Sequence, residues 1–312
     1  MNLLRGILCL FASYIPLALG SYGDRHYSFQ SCLSSNKPRC NEQGYPAILP
    51  WYLRIFGWQC LDELKYQCMH KTTEMILEKN GPVFQYYGKW PFVRFLGIQE
   101  PASTLFSIGN LLAHVLGWGK FSKSVEKHYI LYESSRLYFV LSINAWFWSS
   151  VFHTKDTNFT EKMDYFCATL AVMSSILFCF IRIIGRQTDQ RCILFASGLA
   201  LLYAYHIYTM GYIKFDYGYN MKFNVFIGTT NAIMWLIWCF VKRKERPYVW
   251  RCALVVSSVY LCVGLELFDF PPLWWTFDAH SLWHLATIPF CYFWYSFLIE
   301  DGKYEASLVK RL

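Results

Sequence analysis

The sequence predicts an all-α membrane protein: seven transmembrane helices behind a small N-terminal lumenal segment that contains disulfides. Three observations predict it. Only 16% of the 312 residues are charged while 55% are hydrophobic, whereas a soluble domain is roughly a quarter charged. Aromatic residues make up 20%, which suits the aromatic belts of a multi-span protein. From about residue 100 the chain becomes a series of apolar runs, several near the roughly 20 residues that a bilayer crossing needs. The net charge of +8 is spread over short loops between these runs, where it acts as an orientation determinant. No basic stripe interleaved with aromatics and no nucleic-acid fold signature is present.

In chain order, residues 1–20 read as a cleaved secretory signal. Arg5 supplies a basic start, Gly6 to Leu19 is apolar, and Ala18-Leu19-Gly20 gives small residues for cleavage after Gly20. The run is short for a crossing and Pro16 interrupts it, which argues against an uncleaved anchor. Residues 21–98 are polar and aromatic and carry Cys32, Cys40, Cys60 and Cys68. Behind a signal peptide these predict two disulfides in an oxidising lumen, with three pairings open. Their intervals do not fit a zinc ribbon. Residues 99–300 form the membrane domain, with spans predicted near 101–118, 129–152, 164–184, 192–213, 223–241, 249–267 and 279–299. The first is the weakest, being short and containing Gly and Ser. Residues 301–312 form a cytosolic tail.

The loop charges test this topology. A cleaved signal and seven spans put the C-terminus in the cytosol. The cytosolic connections then hold Lys120, Lys123 and Lys127, then Arg182, Arg186 and Arg191, then Lys242, Arg243, Lys244, Arg246 and Arg251, with Lys303, Lys310 and Arg311 in the tail. The lumenal ones hold only Lys155, Lys162, Lys214 and Lys222. The asymmetry agrees with the positive-inside rule.

Unusual polar residues collect at the lumenal ends of the spans. His280 and His284 lie four apart at the mouth of the last apolar run, so on a helix both imidazoles project from one face. His153 closes the second span and Asp164 opens the third. Three imidazoles from two helices make a zinc site with a fourth position open, and an ion there turns water into a usable nucleophile. Asp164 is the candidate proton acceptor. Ser149, four residues before His153, is the candidate oxyanion donor. Asp164 and Asp278 also qualify as helix caps, and for Asp278 the cap is the preferred role. His114 and His206 lie inside spans without a partner four residues away, which points to helix packing. Asn158-Phe159-Thr160 is a weak glycosylation sequon, crowded by two spans. A Ser-His-Asp hydrolase is a competitor, but no Gly-x-Ser-x-Gly elbow is present.

Several stretches resemble the post-GPI-attachment-to-proteins factor 3 family. They are Asn144-Ala-Trp-Phe-Trp-Ser149, Val151-Phe-His153-Thr154, Thr160-Glu-Lys-Met-Asp164-Tyr-Phe-Cys167, Asp216-Tyr-Gly-Tyr-Asn220 and Asp269-Phe-Pro-Pro272. Asp278-Ala-His280, Trp283-His284, Thr287-Ile-Pro289, Gly88-Lys-Trp-Pro-Phe92 and Gln99-Glu-Pro-Ala-Ser103 extend the likeness over nearly the whole mature chain. The family belongs to a superfamily of seven-span hydrolases that includes alkaline ceramidases. The resemblance implies remodelling of GPI anchors: removal of the unsaturated sn-2 acyl chain of GPI phosphatidylinositol to give a lyso-GPI, acting on GPI-anchored proteins and membrane lipid. It implies Golgi membranes with the site facing the lumen, or endoplasmic reticulum membranes as in yeast. The superfamily's Ser, Asp and three His fall on Ser149, Asp164, His153, His280 and His284, and in the related ceramidases the three His bind zinc, which the resemblance implies here. The family carries cysteines where this chain has Asn36 and Leu64, which fits one missing disulfide with the other four cysteines still paired. A ceramidase-type amidase and a non-enzymatic seven-span receptor or lipid-handling scaffold are the alternatives.

Overall fold

Hydrogen-bonding demand explains why the chain is helical: inside a bilayer only helices or closed barrels satisfy every backbone group. The computed structural model describes residues 21–41, 49–185, 188–267 and 269–309. The expected signal sequence, residues 1–20, lies outside the described residues, as do Arg186, Lys310 and Arg311 of the basic set. Among the described residues there are helices and three isolated β-bridges, but no strand. The chain divides into two compact units, one through Pro91 together with Asp216–Lys222, the other Phe92–Phe215 with Phe223–Leu312.

The first unit contains α1 (Tyr22–Arg25), α2 (Tyr27–Asn36), a 3-10 turn (Lys37–Asn41), α3 (Trp51–Ile55) and α4 (Cys60–Glu78). Its buried apolar residues form two small clusters, one on Phe29, Cys68 and Tyr86 and one on Leu49, Leu53 and Trp58. So little buried apolar surface needs covalent support. Disulfides Cys32–Cys68 and Cys40–Cys60 supply it, with Cα separations of 5.7 and 5.6 Å. This settles which of the three pairings is used. Moving four residues inward from either bridge along both partners reaches Asn36 and Leu64. Asn36 Nδ2 donates to the Cys32 carbonyl at 2.8 Å, and Leu64 is buried.

Among the described residues the second unit carries seven long helices: α5 (Pro101–Ser124), α6 (Tyr132–Thr154), α7 (Asn158–Ile184), α8 (Gln190–Tyr208, extended by a π turn, Thr209–Ile213), α9 (Tyr217–Lys242, of which Tyr217–Lys222 groups with the first unit), α10 (Trp250–Leu267) and α11 (Ala279–Val309). Five of them, α7 to α11, are long and apolar enough to cross a membrane. The remaining two, α5 and α6, have 24 and 23 residues. They have the length of a crossing but do not reach the same apolar level. In α5 the reason is a polar stripe: Ser103, Ser107, Asn110 and His114 recur at three- and four-residue spacing, and all are buried. That stripe faces the inside of the bundle.

α5 packs against α11 and α6, α6 against α7, and α10 against α11. The α5–α11 approach depends on Gly117, where an added Cβ would overlap the Tyr295 ring. Small residues at helix crossings let backbones close up in this way. Behind this contact lies an aromatic core in which Trp235 meets Phe178, Trp294 and Phe297 edge-on. Farther along α11, fully buried Asp301 ties four segments together. It accepts from Arg182 at 2.9 Å, Arg246 at 3.0 Å, Tyr248 at 2.6 Å and Tyr129. The helix therefore runs on through Val309, past the residue where the tail was expected to begin.

Candidate metal centre

α11 begins with a well-made cap. The Asp278 carboxylate accepts from the Ser281 amide at 2.8 Å, and the Asp278 amide donates to Ser281 Oγ at 3.0 Å. These bonds satisfy orphan groups of the first turn, so Asp278 is a cap, as its position in the sequence suggested. The cap fixes the first turns of α11, and with them His280 and His284. The third imidazole comes from the C-terminal end of α6. There the carbonyls of His153 and Thr154 accept from the amides of Glu100 at 3.0 Å and Gln99 at 2.9 Å. The lead-in to α5 thereby closes the end of α6 and locks the backbone that bears His153.

The three rings converge. His153 Nε2 lies 3.3 Å from His280 Nε2, which lies 2.8 Å from His284 Nε2. One donor atom from each falls within 4.8 Å of the others. His153 and His284 are buried and His280 is half-buried. Trp146 meets His284 edge-on, and Trp283 stacks near His280, so the surroundings are weakly polar. Imidazole nitrogens this close repel one another as lone pairs unless a cation or a proton lies between them. A tetrahedral zinc ion with bonds of about 2.0–2.1 Å would space its ligand nitrogens by about 3.4 Å, close to the 3.3 Å between His153 and His280, while the 2.8 Å between His280 and His284 has to open slightly to admit the ion. The donor set therefore fits a metal ion.

Ser149 is buried beside the rings, its Oγ 3.1 Å from Ser107 Oγ. Asp164 is half-buried on α7. It does not open that helix: α7 starts at Asn158, and Thr157 caps it by accepting from the Thr160 amide at 3.2 Å. Asp164 thus lies well inside the helix and does not cap it, contrary to what its place in the sequence suggests. Asn158 is exposed, while the Thr160 hydroxyl of the sequon is engaged in the cap and bonded to the Lys155 carbonyl at 3.0 Å. His114 packs inside the bundle with Nδ1 3.2 Å from the Tyr295 hydroxyl, and His206 stacks on Phe223.

Two residues at the site were missed by sequence reasoning. Glu100 Oε2 lies 2.7 Å from His153 Nδ1, and Ser107 Oγ lies 3.0 Å from His284 Nδ1. The signal that finds them is the helical spacing of Glu100, Ser103, Ser107 and Asn110, polar positions recurring on one face of an otherwise apolar run.

A model of the Per1-like family matches residues 50–302. The chain is 42% identical over 301 residues to the GPI-specific phospholipase A2-like PGAP3 of Xenopus tropicalis, with 95% of each chain covered. It is 40% identical over 305 residues to the Homo sapiens protein of the same name, covering 95% of this chain and 94% of that one. Against the post-GPI attachment to proteins factor 3 of Drosophila melanogaster the identity is 36% over 306 residues, with 94% and 92% covered. No solved structure matches. Likeness along almost the whole length, together with the family match across both units, establishes that the chain belongs to the Per1-like family, with the post-GPI attachment to proteins factor 3 proteins.

Proposed function

We propose that this protein is a lipid acyl hydrolase of GPI-anchor remodelling, which releases the sn-2 fatty acid of GPI phosphatidylinositol and leaves a lyso-GPI. The observation that carries the reading is the convergence of three imidazole nitrogens at the ends of two long helices, in a chain whose relatives are named as GPI-specific phospholipase A2-like. His153, His280 and His284 would hold zinc. An ion bound there acidifies a water molecule and polarises an ester carbonyl. In the net reaction water adds across the ester: its oxygen joins the acyl carbon, the acyl–oxygen bond breaks, and the glycerol oxygen leaves with a proton. Asp164 is the proposed carboxylate for holding the proton in transit. Ser149, hydrogen-bonded with Ser107 Oγ at 3.1 Å, would turn its hydroxyl to the developing oxyanion.

The accompanying topology places residues 21–98 in the lumen, seven crossings within residues 99–300, and residues 301–312 in the cytosol, after removal of residues 1–20. The proposed location is the Golgi membrane with the site facing the lumen. A site at helix ends suits an ester just below a lipid headgroup. The test combines elemental analysis for zinc with fatty-acid release from a GPI lipid, for the purified wild type and for His280→Ala and Asp164→Ala. Stoichiometric zinc, release by the wild type and loss in both variants are expected. Zinc without release from GPI lipid would overturn the acyl-hydrolase reading, and release from ceramide alone would replace it with an amidase.

A further inference from the structure

We propose that Glu100 and Ser107 are positioning residues that hold His153 and His284 with their hydrogens on Nδ1, turning the Nε2 lone pairs toward one point. The inference rests on the metal reading above and concerns what makes three histidines a site.

A neutral imidazole has two tautomers, and only one of them offers a lone pair at Nε2. For His153 the choice is made by Glu100. A carboxylate oxygen only accepts, so the 2.7 Å contact places the hydrogen on Nδ1. Glu100 is 5% exposed and His153 2%, so water does not compete for this bond. The Glu100 amide also donates to the His153 carbonyl, which fixes the carboxylate and the ring by backbone and side chain together.

For His284 the choice passes through a hydroxyl with a single hydrogen. Ser107 donates it to the Ser103 carbonyl at 2.7 Å. Its oxygen is then left to accept from His284 Nδ1 at 3.0 Å and from the Ser149 hydroxyl at 3.1 Å. Ser107 is fully buried and Ser149 5% exposed. The His284 ring thus carries its hydrogen on Nδ1, and Ser149 supports Ser107. α5 adds a further hold: Asn110 Nδ2 donates to the His284 carbonyl at 2.8 Å. The polar face of α5 and its lead-in is in this way the frame on which two of the three ligands are set.

Partners of this kind, when removed, typically weaken metal affinity by about 10–100-fold. The experiment uses full-length protein purified in detergent and measures zinc affinity by chelator competition. Visible absorption of the cobalt-substituted protein and melting of the metal-free protein are recorded alongside. Glu100→Ala and Ser107→Ala are each expected to weaken zinc by about 10–100-fold and to alter the cobalt bands. Glu100→Gln keeps an acceptor and the side-chain shape, so it is expected to fold and to lose less affinity than Glu100→Ala. Ser149→Ala is expected to cost less than Ser107→Ala and to add nothing in the Ser107→Ala background, since it acts through that residue. Wild-type affinity in both Glu100→Ala and Ser107→Ala overturns the inference and leaves the zinc reading intact. A wild type that binds no zinc overturns both.

Discussion

Asp301→Asn tests the polar cluster that closes the far end of the bundle. The side chain is fully buried and accepts from two guanidinium groups and two phenols. The substitution keeps the size of the side chain and removes its charge. Arg182 and Arg246, each 8% exposed, then keep Glu305 as their remaining carboxylate, at 2.8 and 2.7 Å, and Arg246 also keeps the Tyr248 hydroxyl at 3.0 Å. Glu305 is 27% exposed and partly screened, so it cannot stand in for the lost charge. Breaking a buried ion pair from one side costs about 3–5 kcal/mol, because the partner stays buried and uncompensated. Two partners are stranded here, which places the expected loss toward the upper end. Equilibrium unfolding in detergent measures it. His280 is 21 residues from Asp301 along α11, or roughly 30 Å at 1.5 Å per residue, so zinc content of the folded protein should not change. A stability within about 0.5 kcal/mol of wild type, the range of ordinary surface substitutions, would refute the account of this cluster as a latch.

Other outcomes follow from the same contacts. Zinc removal by a chelator should lower the melting temperature of the wild type and leave His280→Ala unmoved, because a ligand that binds only the folded state stabilises it by mass action. Gly117→Ala should destabilise by about 1–3 kcal/mol through overlap with the Tyr295 ring. Gly119→Ala, which meets open space on the same helix, should be neutral or gain up to about 1 kcal/mol of helix propensity; equal unfolding curves for the two variants would contradict this. In the first unit, Asn36→Cys with Leu64→Cys should form a third bridge between Cys32–Cys68 and Cys40–Cys60, detectable by non-reducing peptide mapping. Its gain should stay under about 2 kcal/mol, because the loop it closes is already constrained. Burial first, then the charge of Asp301, pushes the Tyr129 phenol well above its ordinary 10.0. The native state then keeps a proton that the unfolded chain releases, so this contribution is complete below about pH 10 and falls as the pH rises further. Tyr129→Phe should flatten that alkaline decline in an unfolding series.

What could be read without coordinates depends on the distance over which each feature is encoded. His280 and His284 share one helix face, so spacing alone pairs them. His153 joins them across 127 residues, yet loop charge and span order bring it to the same end of the bundle. α7 starts ahead of its apolar content, which begins near Asp164, because the polar Thr157–Thr160 cap nucleates the helix earlier. Hydropathy does not register caps. The disulfide pairing depends on α2 and α4 lying side by side, a contact that cysteine spacing does not encode. The Asp301 cluster joins residues 119 and 55 positions apart, and in the sequence its members look like ordinary loop and tail charges. Glu100 and Ser107 were hidden for a subtler reason. A hydropathy average treats them as dilution of an apolar run and so marks α5 as the weakest span. Burial reverses that reading: a polar residue inside a membrane helix is costly unless it has a partner there. A regular stripe of them therefore says that the partner exists, and the imidazoles of α6 and α11 are what the upper part of this stripe holds.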